Sequence, residues 1–426
     1  MRPRKESSTG IGGLRTIMSL AVGFALSLLL SLSVTLPAHA ETAAATGASL
    51  TGNDNRTTFR LDLSAGVMAE IYTLANPYRV IVDLPDVAFR LPDGTGQQGT
   101  GLVRAFRYGL FAEKKARIVL DTTGPVRIEQ AGMTAEPNGR GIVFTFDMVT
   151  TAPESFGMGT GAERAASEAA ASAPADNDAG ERPKSKHAGR PVIMIDPGHG
   201  GIDGGAVSAT NVLEKNVVLA VGKELARQLN TGGRYDVRLT RQSDIFISLD
   251  QRLKLSLQHD VDLFVSLHAD SLAEGNGASA IRGATVYTLS ERASDEHARR
   301  MAEKENASDA IAGLSVATGQ GDDEVKSILF DLMKRETANF STDFSNVLIR
   351  TLKKTNVLSR VPQRAAAFKV LKQTHAPSVL IELGYLSHPE DEKLLNAPSW
   401  HRQTATSIAQ AIETYFAKRT AGSSDR

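Results

Sequence analysis

Four titratable residues occupy positions from which they could form one catalytic site. Apolar runs lead directly to His199, His268 and Glu382, in VIMIDPGH, LFVSLH and SVLIE. Glu214 opens an amphipathic segment after the first of these runs, and its spacing from the valines that follow places it on the buried face. Two histidines and one glutamate are the ligand set of a catalytic zinc ion. Such a site also needs a base that accepts the proton of water, and Glu382 is the remaining candidate.

Each of these residues also has an ordinary alternative role. A histidine after a strand is commonly a turn residue or a hydrogen-bonded core residue, and Asn211 with Glu214 has the spacing of a capping box. The joint occurrence of three titratable groups at strand ends favours a site, because ligands of open α/β sheets bind beyond the carboxyl ends of the strands. The glycines of DPGHGG are typical of a tight turn.

Strands and helices that could position these groups alternate from Pro191 onward. The apolar runs VIMID, DVRLT, DLFVSLH, ATVYTL and SVLIEL are separated by helix-like segments. This alternation predicts an α/β domain over residues 191–419, in which helices flank a mostly parallel, twisted sheet.

The preceding region has a different pattern. Residues 48–150 contain period-two runs such as YRVIVDL and IVFTF, separated by turn clusters such as PDGTG, which predict a small all-β sandwich. Residues 151–190 are rich in Ala, Gly, Ser, Glu and Pro, and they predict a flexible linker.

The N-terminus has the features of an export signal. A positive leader precedes an apolar core from Leu20 to Val34, and small residues of the Ala-x-Ala type end at Ala40. We expect cleavage after Ala40, which would leave no membrane span. An uncleaved membrane anchor is the alternative, because about 20 apolar residues can cross a bilayer.

Composition excludes several classes of function. Lys+Arg and Asp+Glu each total 48, so the charge balance does not indicate a nucleic-acid partner. The chain has no cysteine, which excludes a disulfide framework, a thiol nucleophile and a cysteine zinc site. Any metal must therefore be bound by His, Asp or Glu.

The order of the motifs resembles that of zinc-dependent N-acetylmuramoyl-L-alanine amidases. The matching segments are DPGHGG around His199, the helix start at Glu214, SLHAD around His268 and VLIELGYLS around Glu382. The resemblance implies that the first three residues bind one Zn²⁺ and that Glu382 is the catalytic carboxylate. It also implies hydrolysis of the amide between the lactyl group of N-acetylmuramic acid and L-alanine in peptidoglycan. In the periplasm, this activity would serve cell-wall remodelling and daughter-cell separation.

The β-rich region resembles the AMIN domain that often precedes such amidases. YRVIVDLPDV and ARIVLD carry this resemblance. It implies that the domain binds peptidoglycan and directs the enzyme to division sites. A generic sandwich that only spaces the catalytic domain is the alternative.

Residues 291–337 resemble the regulatory insertion of division-associated amidases, in which a helix covers the zinc and a glutamate occupies the open position. Glu305 is the candidate, because it continues the line of Ala298 and Met301 at helical spacing, whereas Glu303 is turned away. A solvated acidic helix without a regulatory role is the alternative. The resemblance also implies a periplasmic activator protein with an inactive metalloendopeptidase-like domain.

Two other functions remain open from the sequence. One is a zinc peptidase that cleaves another peptide bond of peptidoglycan. The other is a catalytically silent protein that binds the cell wall or acts as a scaffold. The complete set of His199, Glu214, His268 and Glu382 argues against the second.

Overall fold

The computed structural model describes residues 42–136, 141–156, 189–271, 281–314, 328–373 and 375–423. The predicted signal peptide, most of the predicted linker and residues 315–327 of the predicted insertion lie outside these ranges. Within the described ranges, every helix is too short or too polar to cross a membrane.

Residues 42–156 form a β-sandwich. Its strands are β1 (Ala43–Gly52), β2 (Arg56–Leu63), β3 (Glu70–Leu74), β4 (Arg79–Pro85), β5 (Val87–Phe89), β6 (Val103–Ala112), β7 (Lys115–Thr122), β8 (Val126–Ala135) and β9 (Ile142–Thr150). One sheet has the order β5-β1-β2-β9-β8 and the other has the order β3-β4-β7-β6. Alternating apolar residues from both sheets, such as Phe59, Leu61 and Ile118, are fully buried between them. The prediction of a small all-β sandwich is confirmed.

The second domain is built on a six-stranded mixed sheet. Its strands are β10 (Val192–Pro197), β11 (Asp236–Leu239), β12 (Leu263–His268), β13 (Ala284–Leu289), β14 (Leu358–Ala366) and β15 (Ser378–Glu382), in the order β11-β10-β12-β15-β13-β14. Strands β11, β10, β12 and β15 are parallel, whereas β13 is antiparallel to β15. The predicted α/β architecture with a mostly parallel sheet is confirmed.

Helices cover both faces of this sheet. They are α1 (Glu214–Thr231), α2 (Leu249–Gln258), α3 (Glu296–Asn306), α4 (Ser308–Ile311), α5 (Ile328–Leu352), α6 (Pro389–Leu395) and α7 (Pro398–Ser423). One apolar core joins α1, α5 and α7 to one face through Leu225, Leu348 and Ile412. A second core joins α2 and α3 to the opposite face through Leu249 and Met301.

The sheet topology brings the candidate residues to one edge. Strands β10, β12 and β15 are adjacent and parallel, so their carboxyl ends lie together. The register pairs His268 with Glu382, each the last residue of its strand. The turn that carries His199 follows β10, and α1 then begins at Glu214. Four residues that are distant in the sequence therefore converge on the same edge.

Candidate metal centre

The turn after β10 is held by two buried arginines. Arg252 donates from Nη2 to the carbonyl oxygen of His199 at 2.8 Å, and Arg241 donates from Nη2 to that of Gly198 at 2.8 Å. His199 has a φ of +56°, in the left-handed region that few non-glycine residues adopt. A Cβ on Gly198 would lie 2.4 Å from Cε1 of His268, so only glycine fits there. The two arginines therefore hold the backbone of this turn at His199, and Gly198 leaves room for the His268 ring.

A buried ion pair anchors this turn to the sheet. Asp196 accepts hydrogen bonds from Arg252 Nη1 at 2.5 Å and from the hydroxyls of Thr240 and Ser266 at 2.7 Å each. Burial alone would raise the pKa of Asp196, but Arg252 and the two hydroxyls outweigh it and lower that pKa. The Arg252–Asp196 pair therefore supports the histidine turn.

Four buried side chains face one common point at the carboxyl edge. Oε1 of Glu214 lies 3.2 Å from both His199 Nε2 and His268 Nδ1. Oε2 of Glu305 lies 3.3 Å and 3.1 Å from the same two nitrogens. The ligand atoms of His199, His268 and Glu305 lie within 4.8 Å of one another. Imidazole nitrogens and carboxylate oxygens are ligands that zinc accepts, so this group could bind a metal ion.

The hydrogen-bonding state of His199 supports this interpretation. Among the described residues, its buried Nε2 has no hydrogen-bond partner, although two carboxylates are close. On the other side of the ring, Nδ1 lies 2.9 Å from Oδ2 of Asp203, which is buried. A proton on Nδ1, shared with Asp203, leaves the lone pair of Nε2 directed at the common point. The ring is thus oriented as a metal-bound histidine usually is.

The electrostatics of the group require compensating positive charge. Burial lowers the pKa of His199, but Asp203, Glu214 and Glu305 more than offset it and raise that pKa well above its ordinary value. Burial likewise lowers the pKa of His268, and the carboxylates of Glu305 and Glu214 raise it to about 10. Buried carboxylates need a positive partner, and a divalent cation would supply the same charge as two imidazolium protons.

Glu214 is anchored more firmly than Glu305. Its Oε2 accepts a hydrogen bond from the backbone N–H of Ala206 at 2.8 Å, and its Oε1 accepts one from that of Ala269 at 2.8 Å. The capping-box alternative for Asn211 and Glu214 is wrong, because Leu213 is the N-cap of α1 and no described side chain caps it. The Glu214 side chain instead points into the site, where it is fully buried.

Glu382 lies beside His268 at the end of β15. It is fully buried, and its Oε2 accepts a hydrogen bond from the backbone N–H of Asp270 at 3.1 Å. Within the described part of the chain, its Oε1 has no hydrogen-bond partner. Burial raises the pKa of Glu382 well above its ordinary value, and the proximity of His268 only partly offsets this effect. A carboxylate with one oxygen fixed and one available has the form of a general base.

Helix α3 closes over this site. Ala298, Met301 and Ala302 bury its apolar face, and Glu305 on the same face is 4% exposed. The Glu303 side chain is 61% exposed and pairs with Arg299. The structure therefore places Glu305, rather than Glu303, against the two histidines.

Several polar contacts fasten the end of this helix. Lys304 forms an ion pair with Asp270. Asn306 donates to the carbonyl of Ala367 at 2.9 Å and accepts from the backbone N–H of Lys369 at 2.7 Å. The last turn of α3 is thus bound on both sides of Glu305.

Sequence reasoning did not identify Asp203, Asp270 or Lys304 as parts of the site. Asp203 follows His199 by four residues in the same glycine-rich turn, and Asp270 follows His268 by two. For Asp203 this closeness is a usable signal, because a metal-binding histidine usually donates its second N–H to a carboxylate. The partner of Lys304 depends on how α3 crosses the sheet, and the periodicity of the sequence does not predict that crossing.

A mixed sheet with buried histidines and glutamates at the carboxyl edge of its parallel strands defines a candidate metal-dependent hydrolase. The sequence model of the N-acetylmuramoyl-L-alanine amidase family matches residues 193–414, and that of the AMIN domain matches residues 49–146. This chain belongs to the N-acetylmuramoyl-L-alanine amidase family. The predictions of family, fold class and enzyme class are confirmed.

Two curated relatives agree with this assignment, and one similar solved structure is given for comparison. The chain is 38% identical over 237 residues to N-acetylmuramoyl-L-alanine amidase AmiA of Escherichia coli (strain K12), covering 55% of this chain and 80% of the relative. It is 30% identical over 372 residues to AmiC of Neisseria meningitidis serogroup B, covering 84% and 87%. Among solved structures, amidase AmiC2 of Nostoc punctiforme is 25% identical with a TM-score of 0.38, covering 54% of this chain and 98% of that one. The chain is a peptidoglycan amidase, and the family is in general zinc-dependent.

Proposed function

We propose that His199, Glu214 and His268 bind a single zinc ion and that Glu382 is the general base of amide hydrolysis. The observation that supports this assignment best is the position of Glu214 Oε1, 3.2 Å from a nitrogen of each histidine. Two backbone N–H groups fix the Glu214 carboxylate, whereas Oε1 of Glu305 has no hydrogen-bond partner among the described residues. We therefore assign Glu214 as the permanent ligand and Glu305 as a removable one.

The proposed reaction cleaves the amide between the lactyl group of N-acetylmuramic acid and L-alanine. A bound zinc ion would polarise the amide carbonyl and lower the pKa of water to about 7. Glu382 accepts the proton of the attacking water on Oε1 and returns it to the leaving nitrogen of L-alanine. The N–H of Asp270 holds Oε2, and Oε1 has no hydrogen-bond partner among the described residues. Burial raises the pKa of Glu382 well above its ordinary value, which makes the carboxylate a better proton acceptor.

We further propose that Glu305 inhibits the enzyme. A catalytic zinc site keeps one position open for water or substrate, and Glu305 Oε2 lies 3.3 Å and 3.1 Å from the same two histidine nitrogens that Glu214 approaches. Helix α3 must then move before substrate can enter. Its outer surface carries the exposed charges Glu296, Arg299, Arg300 and Glu303. This surface suits an activator, for which we propose a periplasmic protein with an inactive metalloendopeptidase-like domain.

The chain organisation that we propose follows the sequence pattern. Residues 1–40 form a signal peptide cleaved after Ala40, which directs the enzyme to the periplasm. The AMIN-like domain (48–150) binds peptidoglycan, a linker (151–190) follows, and the catalytic domain (191–419) carries the regulatory insertion (291–337). This organisation serves cell-wall remodelling and daughter-cell separation.

Chelation should abolish activity and zinc should restore it. The expected products of digesting purified peptidoglycan are intact stem peptides with a free N-terminal L-alanine, because only the lactyl amide is cut. Mass spectrometry of the released fragments checks this result. Fragments cut within the stem peptide would support the zinc-peptidase alternative. A zinc-loaded chain that releases nothing, even after Glu305→Ala, would support a silent binding protein.

Gly198→Ala should weaken zinc binding without unfolding the domain. The new Cβ would lie 2.4 Å from the His268 ring and displace it, so we expect a roughly 10- to 100-fold loss of zinc affinity, the range found when the support of a ligand is disturbed. Gly204→Ala is the matched control in the same turn, because the nearest atom to its Cβ is Leu213 Cδ2 at 3.9 Å. Competition with a chelating dye measures the affinity. Equal zinc affinities in the two variants would contradict the assignment of His268 as a ligand.

A further inference from the structure

The outer face of the four-stranded sandwich sheet packs against the catalytic domain. Ile81 of β4 and Val119 of β7 point away from the sandwich core, yet both are fully buried. They form one apolar cluster with Ile202, Phe246 and Ala312 of the catalytic domain. Ile202 follows the histidine turn, and Ala312 lies just beyond helix α4. The sandwich therefore contacts both the metal-site turn and the chain segment that follows Glu305.

Arginines of this sandwich face bind the segment after Glu305 through its backbone carbonyls. The three donor–acceptor pairs are Arg79 Nη1 with Ala310 O, Arg107 Nε with Ile311 O at 2.7 Å and Arg117 Nη1 with Ala312 O at 3.1 Å. The last carbonyls of a helix lack partners within the helix, so outside donors satisfy them. Here the three arginines supply these donors at the C-terminal end of α4.

Acidic neighbours orient two of these arginines. Asp83 accepts from Arg117 through both oxygens, at 2.6 Å and 2.7 Å, and Asp121 accepts from Arg107 at 2.5 Å and 3.2 Å. Bidentate pairing of this kind fixes the plane of a guanidinium group and strengthens its hydrogen bonds. The acids thus hold Arg107 and Arg117 in the orientation in which they donate to the carbonyl oxygens of Ile311 and Ala312.

The edge strand β6 contacts the metal-site turn at the same interface. The carbonyl of Leu110 accepts hydrogen bonds from the backbone N–H groups of Ile202 at 3.3 Å and Phe246 at 3.2 Å. A Cβ on Gly109 would lie 2.5 Å from Ile202 N and 2.6 Å from Gly201 C, so the two backbones touch. Docking at this point depends on the absence of a side chain at position 109.

The contacted segment is connected to Glu305 by a short and well-fastened stretch of chain. Only four residues separate Glu305 from Ala310. Within this stretch, Ser308 donates to Asp203, the acid that orients His199, and Asp309 accepts from the backbone N–H of Leu249 at 3.0 Å. A displacement of residues 310–312 is therefore expected to displace Glu305 as well.

From these contacts we infer that the sandwich domain is an intramolecular clamp: its four-stranded sheet holds residues 305–313 in place and keeps Glu305 against His199 and His268. Separation of the sandwich from the catalytic domain then loosens α3 and exposes the metal site. The inference rests on the proposed inhibitory role of Glu305, and it adds the sandwich as the element that stabilises the inhibited state. A ligand that competes for this sheet face activates the enzyme.

Gly109→Val in the full-length, zinc-loaded chain tests the clamp. Valine favours a β-strand, so the sandwich should fold, but its Cβ is incompatible with the docked position. Relative to the parent, we expect faster amide hydrogen exchange at residues 303–314. We also expect peptidoglycan digestion to be roughly 5- to 150-fold faster, the range that typical coupling free energies produce. Gly132→Val is the matched control in β8, because no atom of the described residues lies within 4 Å of its Cβ.

Arg107→Gln provides a second, milder variant. It removes the donor to Ile311 but keeps a polar side chain at a half-buried position. Arg60→Gln is its control, because Arg60 is 44% exposed and pairs with Asp62 on the other sheet. Faster exchange at residues 303–314 in both interface variants, together with faster digestion, supports the clamp.

Other results overturn the inference or separate it from the proposed inhibition. Unchanged exchange at residues 303–314 in both interface variants overturns the clamp, whatever their activity. A third result is also informative: the interface variants exchange faster but do not digest peptidoglycan faster, although Glu305→Ala does activate the enzyme. This result would show that the sandwich does not control activity. If Glu305→Ala itself has no effect, the proposed inhibition fails, and the exchange data alone decide whether the clamp exists.

Discussion

Glu382→Gln should retain zinc and lose hydrolysis of peptidoglycan. Glutamine has the size and shape of the glutamate but cannot accept the proton of water, and removal of a general base costs roughly 10²- to 10⁴-fold in rate. The zinc content should stay at that of the parent, because the permanent ligands are assigned to other residues. Release of dye from labelled sacculi measures the rate, both in the parent background and in a chain activated by Glu305→Ala.

The stability of this variant separates a catalytic role from a structural one. Glu382 is fully buried, and burial raises its pKa, so the carboxylate does not stabilise the fold. The melting temperature of Glu382→Gln should therefore equal or exceed that of the parent. Glu413→Gln is the control on the exposed side of α7, where Glu413 is 43% exposed. Full activity in Glu382→Gln would refute the base assignment, and loss of zinc would reassign Glu382 as a ligand or its support.

The convergence of the site could be predicted from the sequence because of one physical rule. Period and composition identify apolar runs as buried parallel strands, and parallel neighbours end at the same edge of a sheet. His199, His268 and Glu382 follow such runs, so their proximity follows from the strand pattern without coordinates. Helical spacing similarly directs Glu305 toward the sheet and Glu303 away from it.

Other features could not be predicted because they depend on tertiary packing. Strand β14 contains Pro362 and alternates poorly. It lies at the sheet edge, where a residue without an N–H is tolerated. The burial of Arg241 and Arg252 beneath the histidine turn depends on how the segment after β11 and helix α2 pack against that turn. The contact between the sandwich arginines and the end of α4 joins residues about 200 positions apart, and no local pattern records it.

Glu305→Ala should raise the basal digestion of peptidoglycan. The carboxylate of Glu305 lies 3.3 Å and 3.1 Å from His199 Nε2 and His268 Nδ1, two of the proposed zinc ligands, so we expect it to block the position that water and substrate need. Hydrogen bonds to a charged group contribute about 1.5–3 kcal/mol. Their loss should raise the population in which the site is not blocked by residue 305 by roughly 10- to 150-fold. Initial rates of dye release from labelled sacculi, at equal zinc loading, measure the effect.

Glu303→Ala is the control for this prediction, two residues away on the same helix. Its side chain is 61% exposed and contacts Arg299, so its removal should leave the basal rate unchanged. Equal low rates in both variants would contradict self-inhibition by Glu305. The zinc content must also be measured, because Glu214 and Glu305 lie at similar distances from the two histidines. Faster digestion with full zinc content would show that Glu305 is a removable occupant, whereas loss of zinc would make it a permanent ligand.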